Sequence, residues 1–214
     1  IGLFDMVYLS LEYYHNKTVN LIDNAIVSST SGQRRLYQNA GKVQNKGIEM
    51  ILEGRKVKFG PLEWSPKLIA SGNRNKVLEM PEGQDRVSGT TIRREGYPAG
   101  SVFLVRWAGV DPRDGAPLWY DLNGNLTRVH NAANRVIIGD SSPDFSGSFL
   151  NGFSYHGFTL SVNLLFTKGG LAFSSLRRNA ESDGLNLLEE NQSKNSLDYW
   201  KNPGDLAMNP RLSA

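Results

Sequence analysis

Hydrophobic and polar residues alternate with a period of two in five separate stretches of the chain, which predicts five β-strands. In VYLSLEYY, Val7, Leu9, Leu11 and Tyr13 fall on one side and Tyr8, Ser10, Glu12 and Tyr14 on the other. NKGIEMILEG sets Ile48, Met50 and Leu52 against Gly47, Glu49, Ile51 and Glu53, and EWSPKLIASGN sets Trp64, Leu68 and Ala70 against Ser65, Lys67, Ile69 and Ser71. DFSGSFLNGFS alternates Phe145, Phe149 and Phe153 with Ser146, Ser148, Leu150 and Ser154. FTLSVNLLF is the cleanest, with Phe158, Leu160, Val162, Leu164 and Phe166 against Thr159, Ser161, Asn163 and Leu165. Each stretch therefore has one apolar face and one small or polar face.

The stretches run for about 9–11 residues, the length that crosses a bilayer when a strand tilts by ~45°. Aromatics at the ends of the rows (Tyr13, Tyr14, Trp64, Tyr155, Phe158) suit interfacial girdles. A soluble β-sandwich alternates in the same way, so the connections have to separate the two. Tyr155-His156-Gly157 is a tight turn and residues 53–62 form a modest hairpin, whereas residues 17–41, residues 77–143 and everything after Lys168 are very long links. Short and long connections alternate strictly, as in antiparallel membrane barrels, while loops beyond about 12–15 residues are uncommon in compact domains. Helix is scarce: residues 182–200, with an Asp and a Ser as caps, suit a short amphipathic turn or two. Neither a repeat nor a Pro- or Gly-rich linker is visible, and the chain reads as one architectural unit.

Composition narrows the function classes. The 214 residues carry a formal net charge of +3, with Lys and Arg scattered rather than massed, and no DNA- or RNA-binding motif accompanies them. Nucleic acid is therefore not an expected partner. The absence of cysteine excludes a thiol nucleophile, a thiolate zinc site and a disulfide scaffold. Ile1-Gly2-Leu3-Phe4 has no signal-peptide pattern, and the missing initiator Met suggests a segment of something longer. No run reaches the ~18 apolar residues of a membrane helix, and mean hydropathy is −0.39. Neither excludes a barrel, whose apolar residues occupy only every second position.

Candidate chemistry is sparse. His15, His130 and His156 stand apart in no ligand pattern, and solvent or turn positions are their expected places. There is no nucleophile elbow, P-loop or dinucleotide fingerprint, GGLAFSS is a turn rather than a phosphate cradle, and Glu49, Glu53 and Glu63 have no pairing geometry beyond a polar strand face. No enzyme activity, cofactor or metal is expected. DLNGN has the alternate acids and amides of a calcium loop in Asp121, Asn123 and Asn125, but the twelfth position is Ala132 and the glycine comes at the fourth rather than the sixth. Asn-Gly between apolar runs predicts a two-residue type I′ hairpin joining LWYD to NLTRV instead. The remaining surface is an aromatic and basic long loop holding Arg86, Arg93, Arg94, Tyr97, Arg106, Trp107, Trp119 and Tyr120. Its Trp and Tyr suit sugar stacking, partner anchoring or packing of the loop on itself.

Four phrases, LEYYHNKTVNLI, NAGKVQNKGIEM, EGYPAGSVFLVRWAGVDPRDGAPLWYDLNGN and GDSSPDFSGSFLNGFSYHGFTLSVNLLFTKGG, occur in this order, with WKNPGDLAMNPRLS near the end. Over most of the chain they resemble the C-terminal barrel half of SusC/RagA-type TonB-dependent outer-membrane receptors, and EGYPAGS…AGVDPRDGAPLWYD is the most specific run. The resemblance implies a bacterial outer-membrane barrel of about 22 strands occluded by an N-terminal plug. It implies import of oligosaccharides (glycans) or peptides, energised through TonB, with a SusD-like surface lipoprotein over the extracellular loops. All 214 residues would then be part of that barrel domain, an antiparallel all-β transmembrane segment of about five strands, with the plug, the TonB-contacting part and the closing strands lying outside it. In that frame Leu160, Val162, Leu164 and Phe166 face outer-membrane lipid, Thr159, Ser161 and Asn163 face the lumen, and Arg93, Arg94, Tyr97, Arg106, Trp107, Trp119 and Tyr120 are candidates for substrate or lid contact. The rival readings are a soluble β-sandwich carbohydrate-binding or adhesin module and an outer-membrane hydrolase, for which no nucleophile and base pair is evident.

Overall fold

The five alternating stretches pair, in sequence order, into one antiparallel sheet. In the computed structural model, which describes residues 2–3, 7–26, 35–39, 41–55, 57–186 and 188–212, they are β1 (Val7–Val19), β2 (Lys42–Gly54), β3 (Leu62–Glu79), β4 (Phe145–Tyr155) and β5 (Phe158–Lys168). Two short strands, Gly2–Leu3 against β1 and Val57–Phe59 against β3, complete a seven-stranded sheet. Residues 27–34 and residue 40 of the link 17–41, Lys56 of the hairpin 53–62 and Leu187 of 182–200 lie outside the described residues.

Register puts the alternating residues in common rows. Leu9, Leu52, Leu68, Phe149 and Leu164 stand side by side across all five strands, and Leu11, Met50, Ala70, Gly147 and Phe166 form the next row. The opposite face repeats the logic, with Tyr8, Glu53, Lys67, Leu150 and Asn163 in one row and Glu12, Glu49, Ser71, Ser146 and Thr167 in another. The apolar face is uncovered: Leu11 is 69% exposed, Leu160 59% and Leu164 55%. A β-sandwich would bury that face against a second sheet, so the soluble-sandwich reading fails on this observation. Tyr14 is a second correction. It lies on the polar face, over Gly47, and so stands on the other side from Tyr13, Trp64, Tyr155 and Phe158.

Both short connections leave one end of the sheet. His156 (φ 45°) and Gly157 (φ 84°) make a two-residue turn of the I′ kind, and Gly60 (φ 61°) followed by Pro61 makes one of the II′ kind. At the other end the strands outrun the expected 9–11 residues: β1 and β2 have 13 and β3 has 18. At ~3.3 Å per residue β3 is roughly 60 Å long, more than a tilted crossing of a ~30 Å hydrocarbon core requires. Backbone pairing continues there because polar side chains do not interrupt it. Asn45 Oδ1 accepts from both Asn75 (2.8 Å) and Asn73 (3.4 Å) across the β2–β3 ladder. Periodicity of hydrophobicity marks the apolar rows; the hydrogen-bonded ladder does not stop with them.

The chain divides into two compact units. The first, Ile1–Ser88, Ile92–Ser101 and Asp140–Leu171, carries the five long strands; the second, Gly89–Thr91, Val102–Gly139 and Ala172–Ala214, is drawn from the long links. The sequence reads as one unit because the chain passes between them through short segments that no linker composition marks. In the second unit, Trp107–Val110, Pro117–Tyr120 and Leu126–Thr127 form a three-stranded antiparallel sheet. Where a short amphipathic turn or two is expected, within 182–200, a 3-10 turn stands at Lys194–Leu197, and the α-helix lies earlier, at Ser175–Ala180, where Ser174 Oγ caps it by accepting from the Arg177 N–H (3.1 Å). Asp183 (φ 52°) and Gly184 (φ 89°) are left-handed, which prevents a helix from running through them.

Candidate functional site

The second unit's sheet is built from two turns that use their own acids as templates. At DPRDG, the Asp111 N–H donates to the Ala116 carbonyl (2.8 Å), the Gly115 N–H donates back to the Asp111 carbonyl (2.8 Å), and Gly115 sits at φ 72°. The Asp111 carboxylate, buried, accepts from the Arg113 N–H (3.0 Å), from Arg113 Nε (3.1 Å) and Nη2 (2.8 Å), and from Arg128 Nη2. Arg128 Nη1 also reaches Asp114 (2.8 Å). Hydrogen bonds from Arg113, and then Arg128, hold the Asp111 carboxyl well below the usual carboxylate range.

The second turn, at DLNGN, closes a hairpin as expected, but not of the expected type. Only Gly124 (φ 86°) has a positive φ, and its N–H donates to the Asp121 carbonyl (3.2 Å). Leu122 and Asn123 therefore form a type I turn, with Gly124 as the left-handed residue after it, and Asp121 N–H to Asn125 O (2.9 Å) closes the loop. Asp121 Oδ1 accepts from the N–H groups of Asn123 (2.8 Å) and Asn125 (2.8 Å), and Oδ2 from the Asn125 side chain (3.2 Å). The side chain of Asp121 makes this Asx geometry cheaper than the I′ turn that Asn-Gly alone suggests. These bonds, those from Asn125 foremost, lower the Asp121 pKa.

Between the two turns the aromatic candidates gather. Trp107 and Trp119 stand directly opposite across the sheet with rings edge to face at 5.7 Å, and the His130 ring meets Trp119 at 5.5 Å. The Arg106 guanidinium lies 5.1 Å over the Tyr120 ring. Trp107, 46% exposed, also borders a cavity of about 460 Å³ with Arg177, Glu181, Asp183, Asn195 and Met208. Arg177 pairs with Glu181 (2.7 Å) and lowers its pKa, whereas burial raises that of Asp183. Trp200, which opens the phrase WKNPGDLAMNPRLS, packs on the first turn: its Nε1 donates to the Pro112 carbonyl (3.1 Å), and its ring fills the space where a Gly115 side chain would stand.

Arg93, Arg94 and Tyr97 belong to the first unit. Arg94 is paired with Asp85 (2.6 Å), and Tyr97, 43% exposed, is held through its backbone, whose carbonyl accepts from the Val77 N–H (2.8 Å). Arg93 borders a cavity of mixed lining with Leu21, Val43, Val77, Glu79 and Met80. Thr159, Ser161 and Asn163 share the polar face of the five-stranded arc, and Leu160, Val162, Leu164 and Phe166 its apolar face. One residue on the apolar face escaped the sequence reading. Asn151, buried between Pro66 and Val162, accepts from Trp64 Nε1 (3.1 Å), which satisfies its amide among apolar neighbours. Its place between Phe149 and Phe153 in the alternation is the signal that marks it.

A sheet of long antiparallel strands with an uncovered apolar face, short turns at one end and elaborate links at the other defines an outer-membrane β-barrel segment. Residues 2–187 match the family described as TonB dependent receptor-like, beta-barrel, and the chain belongs to that family. It is 31% identical over 196 residues to TonB-dependent receptor P3 of Formosa agariphila, covering 79% of this chain and 19% of that protein. It is 28% identical over 196 residues to TonB-dependent receptor P26 of the same organism, covering 81% of this chain and 20% of that one. The chain thus spans about a fifth of the length of these curated relatives. Its fold matches a chain of the RagAB peptide transporter with a TM-score of 0.85 at 24% identity, over 98% of this chain and 24% of that chain. The same system in its "open-open" state gives 0.86 at 22% identity, over 98% and 24%. The family locates the segment in the bacterial outer membrane.

Proposed function

We propose that this segment forms part of the wall and the outer loops of a receptor that imports oligosaccharides or peptides across the outer membrane, driven through TonB and covered by a SusD-like lipoprotein. The observation that carries the reading is the five-strand arc with one continuous apolar face and one polar face, joined to a family match over residues 2–187. In this reading Leu160, Val162, Leu164 and Phe166 meet lipid, and Thr159, Ser161 and Asn163 line the lumen. Polar rows that hold Glu49, Lys67 and Asn163 suit a water-filled interior, and apolar rows without a covering layer suit hydrocarbon. The chain contributes binding surface rather than catalysis.

Trp107 and Trp119, with Arg106 over Tyr120, are the residues we assign to contact with substrate or lid. Exposed tryptophan rings stack on sugar rings or peptide side chains; Trp107 is exposed, and the half-buried Trp119 ring opposite it, with the two turns, holds it in place. Arg93, Arg94 and Tyr97 are assigned a subsidiary contact role from the first unit. The name of the RagAB system favours peptides for that protein; here glycans and peptides are separated by experiment. A strain lacking the full-length receptor is grown on a panel of glycans and on peptides as sole nutrient, and complemented with wild type or Trp107→Ala. Loss of growth on one class, restored by wild type and abolished by an uncoupler of the proton gradient, is the expected result. Unimpaired growth on every member of both classes removes the import reading.

A further inference from the structure

The two faces of the arc carry charge of opposite sign. The polar face holds Glu12, Glu49, Glu53 and Glu63, of which Glu53 and Glu63 are paired with Lys67 and Lys58, so acids outnumber bases there. At the long-link end of the other face, just beyond the row Tyr13–Ile48–Gly72, register brings His15, Lys46 and Arg74 into one row and Lys17, Gln44 and Lys76 into the next. All of these except Gln44 are exposed, and among the described residues Lys17, Lys46, Arg74 and Lys76 have no carboxylate partner. The nearby acid on this edge, Glu79, is taken by Lys42 at 2.5 Å. Lys46 and Arg74 stand directly opposite on neighbouring strands, an arrangement that repels unless an anion lies against it.

We propose that this basic rim binds the phosphorylated headgroups of the glycolipid that forms the outer leaflet of the outer membrane. The inference rests on the lipid-facing reading of Leu160, Val162, Leu164 and Phe166, since the rim continues the face on which they lie. Three features select this occupant. The rim borders the apolar rows directly, so whatever meets those rows with its tails presents its headgroup here. It sits at the end of the long links, which in membrane barrels is the extracellular end, opposite the two short turns. Four basic side chains without a carboxylate partner among the described residues, on three adjacent strands, match the clusters of four to eight that recognise anionic headgroups, each contributing up to about fivefold in affinity near an anionic surface.

The test uses the full-length receptor in detergent, with lipid retention read by native mass spectrometry. Wild type is compared with the fourfold variant Lys17→Gln, Lys46→Gln, Arg74→Gln, Lys76→Gln against diphosphorylated lipid A, its dephosphorylated form, and inorganic phosphate as competitor. Wild type is expected to retain diphosphorylated lipid A at least about tenfold better than the variant, to lose that advantage on the dephosphorylated form, and to resist displacement by phosphate. Equal retention by the two proteins overturns the proposal, as does displacement by phosphate alone, which would mark a free-anion site. If the fourfold variant does not assemble, the pair Lys46→Gln, Arg74→Gln carries the same comparison with an expected drop of about fivefold. Fluorophores at Val162→Cys and at Ser161→Cys, quenched by brominated acyl chains, report the face separately. Quenching at 162 alone, with charge-independent retention, removes only the headgroup proposal; quenching at 161 alone removes the face reading and the proposal with it.

Discussion

Gly47 and Tyr14 face each other on β2 and β1, and the tyrosine ring covers the glycine so closely that a β-carbon would fall inside it and against the Gly72 carbonyl. Gly147 and Phe166 repeat the arrangement on the opposite face, where Phe166 also meets Phe145 edge to face at 6.0 Å. Gly47→Ala is expected to cost about 1–3 kcal/mol, the range for overpacking, seen as a lower temperature for loss of heat-modifiable gel migration of the full-length barrel. Adding Tyr14→Ala should relieve only part of this, because the Gly72 carbonyl stays. Asp111 yields a pH prediction. Its folded pKa is depressed, so it stabilises the second unit above the unfolded value near ~3.9 and loses that contribution as pH falls through the folded value. Asp114 and Asp121, shifted the same way, act in the same window. Amide exchange over residues 107–128 should therefore be flat from about pH 8 to pH 5 after correction for intrinsic rate and should rise below about pH 4. Asp111→Asn should raise exchange already at neutral pH, by freeing Arg113 and leaving Arg128 to Asp114 alone.

Each long strand was legible as an element because a strand between lipid and lumen repeats its environment every second residue. On β5 this gives a paired prediction: Val162→Arg should cost ~2–4 kcal/mol of barrel stability if the site is near the bilayer midplane, whereas Ser161→Arg, one residue away on the other face, should be tolerated. Urea titrations of the full-length barrel in detergent separate the two, and equal effects would contradict the face assignment. The misses have local causes. The extensions of β1, β2 and β3 carry Lys17, Gln44 and Asn75, which look like loop residues but continue a ladder. The turn at Asn123-Gly124 was set by the side chain of Asp121, two residues before it, and the helix at Ser175–Ala180 by its Ser174 cap. Type I′ propensity and amphipathic periodicity register neither.

At the scale of the whole molecule, the sheet ends in open ladders: among the described residues, Gly2–Leu3 and β5 each have a hydrogen-bonded neighbour on one side only. Lipid does not tolerate unpaired backbone groups, and water does not tolerate the uncovered face that carries Leu11, Leu160 and Leu164. Residues 1–214 expressed alone should therefore aggregate in plain buffer. A monodisperse sample with a cooperative melt by circular dichroism would contradict this. The second unit should behave differently, because its turns satisfy their own acids and amides. Limited proteolysis of the full-length receptor should leave the stretch around residues 107–128 among the later cleavage sites of the loops.

From the sequence alone came the five strands, the sorting of each into two faces, the alternation of short and long connections, and the phrases that mark the family. All of these are encoded within a few neighbouring residues, by a period of two or by glycine at a turn. Only tertiary structure decided which faces and loops combine. Asp111 meets Arg128 across 17 residues and Trp200 meets Pro112 across 88. Trp107 finds Trp119 and His130, and Lys17, Lys46, Arg74 and Lys76 from three strands become one rim. Those meetings depend on inter-strand register, which is fixed by hydrogen bonds between distant segments and leaves no trace in the periodicity of any one of them.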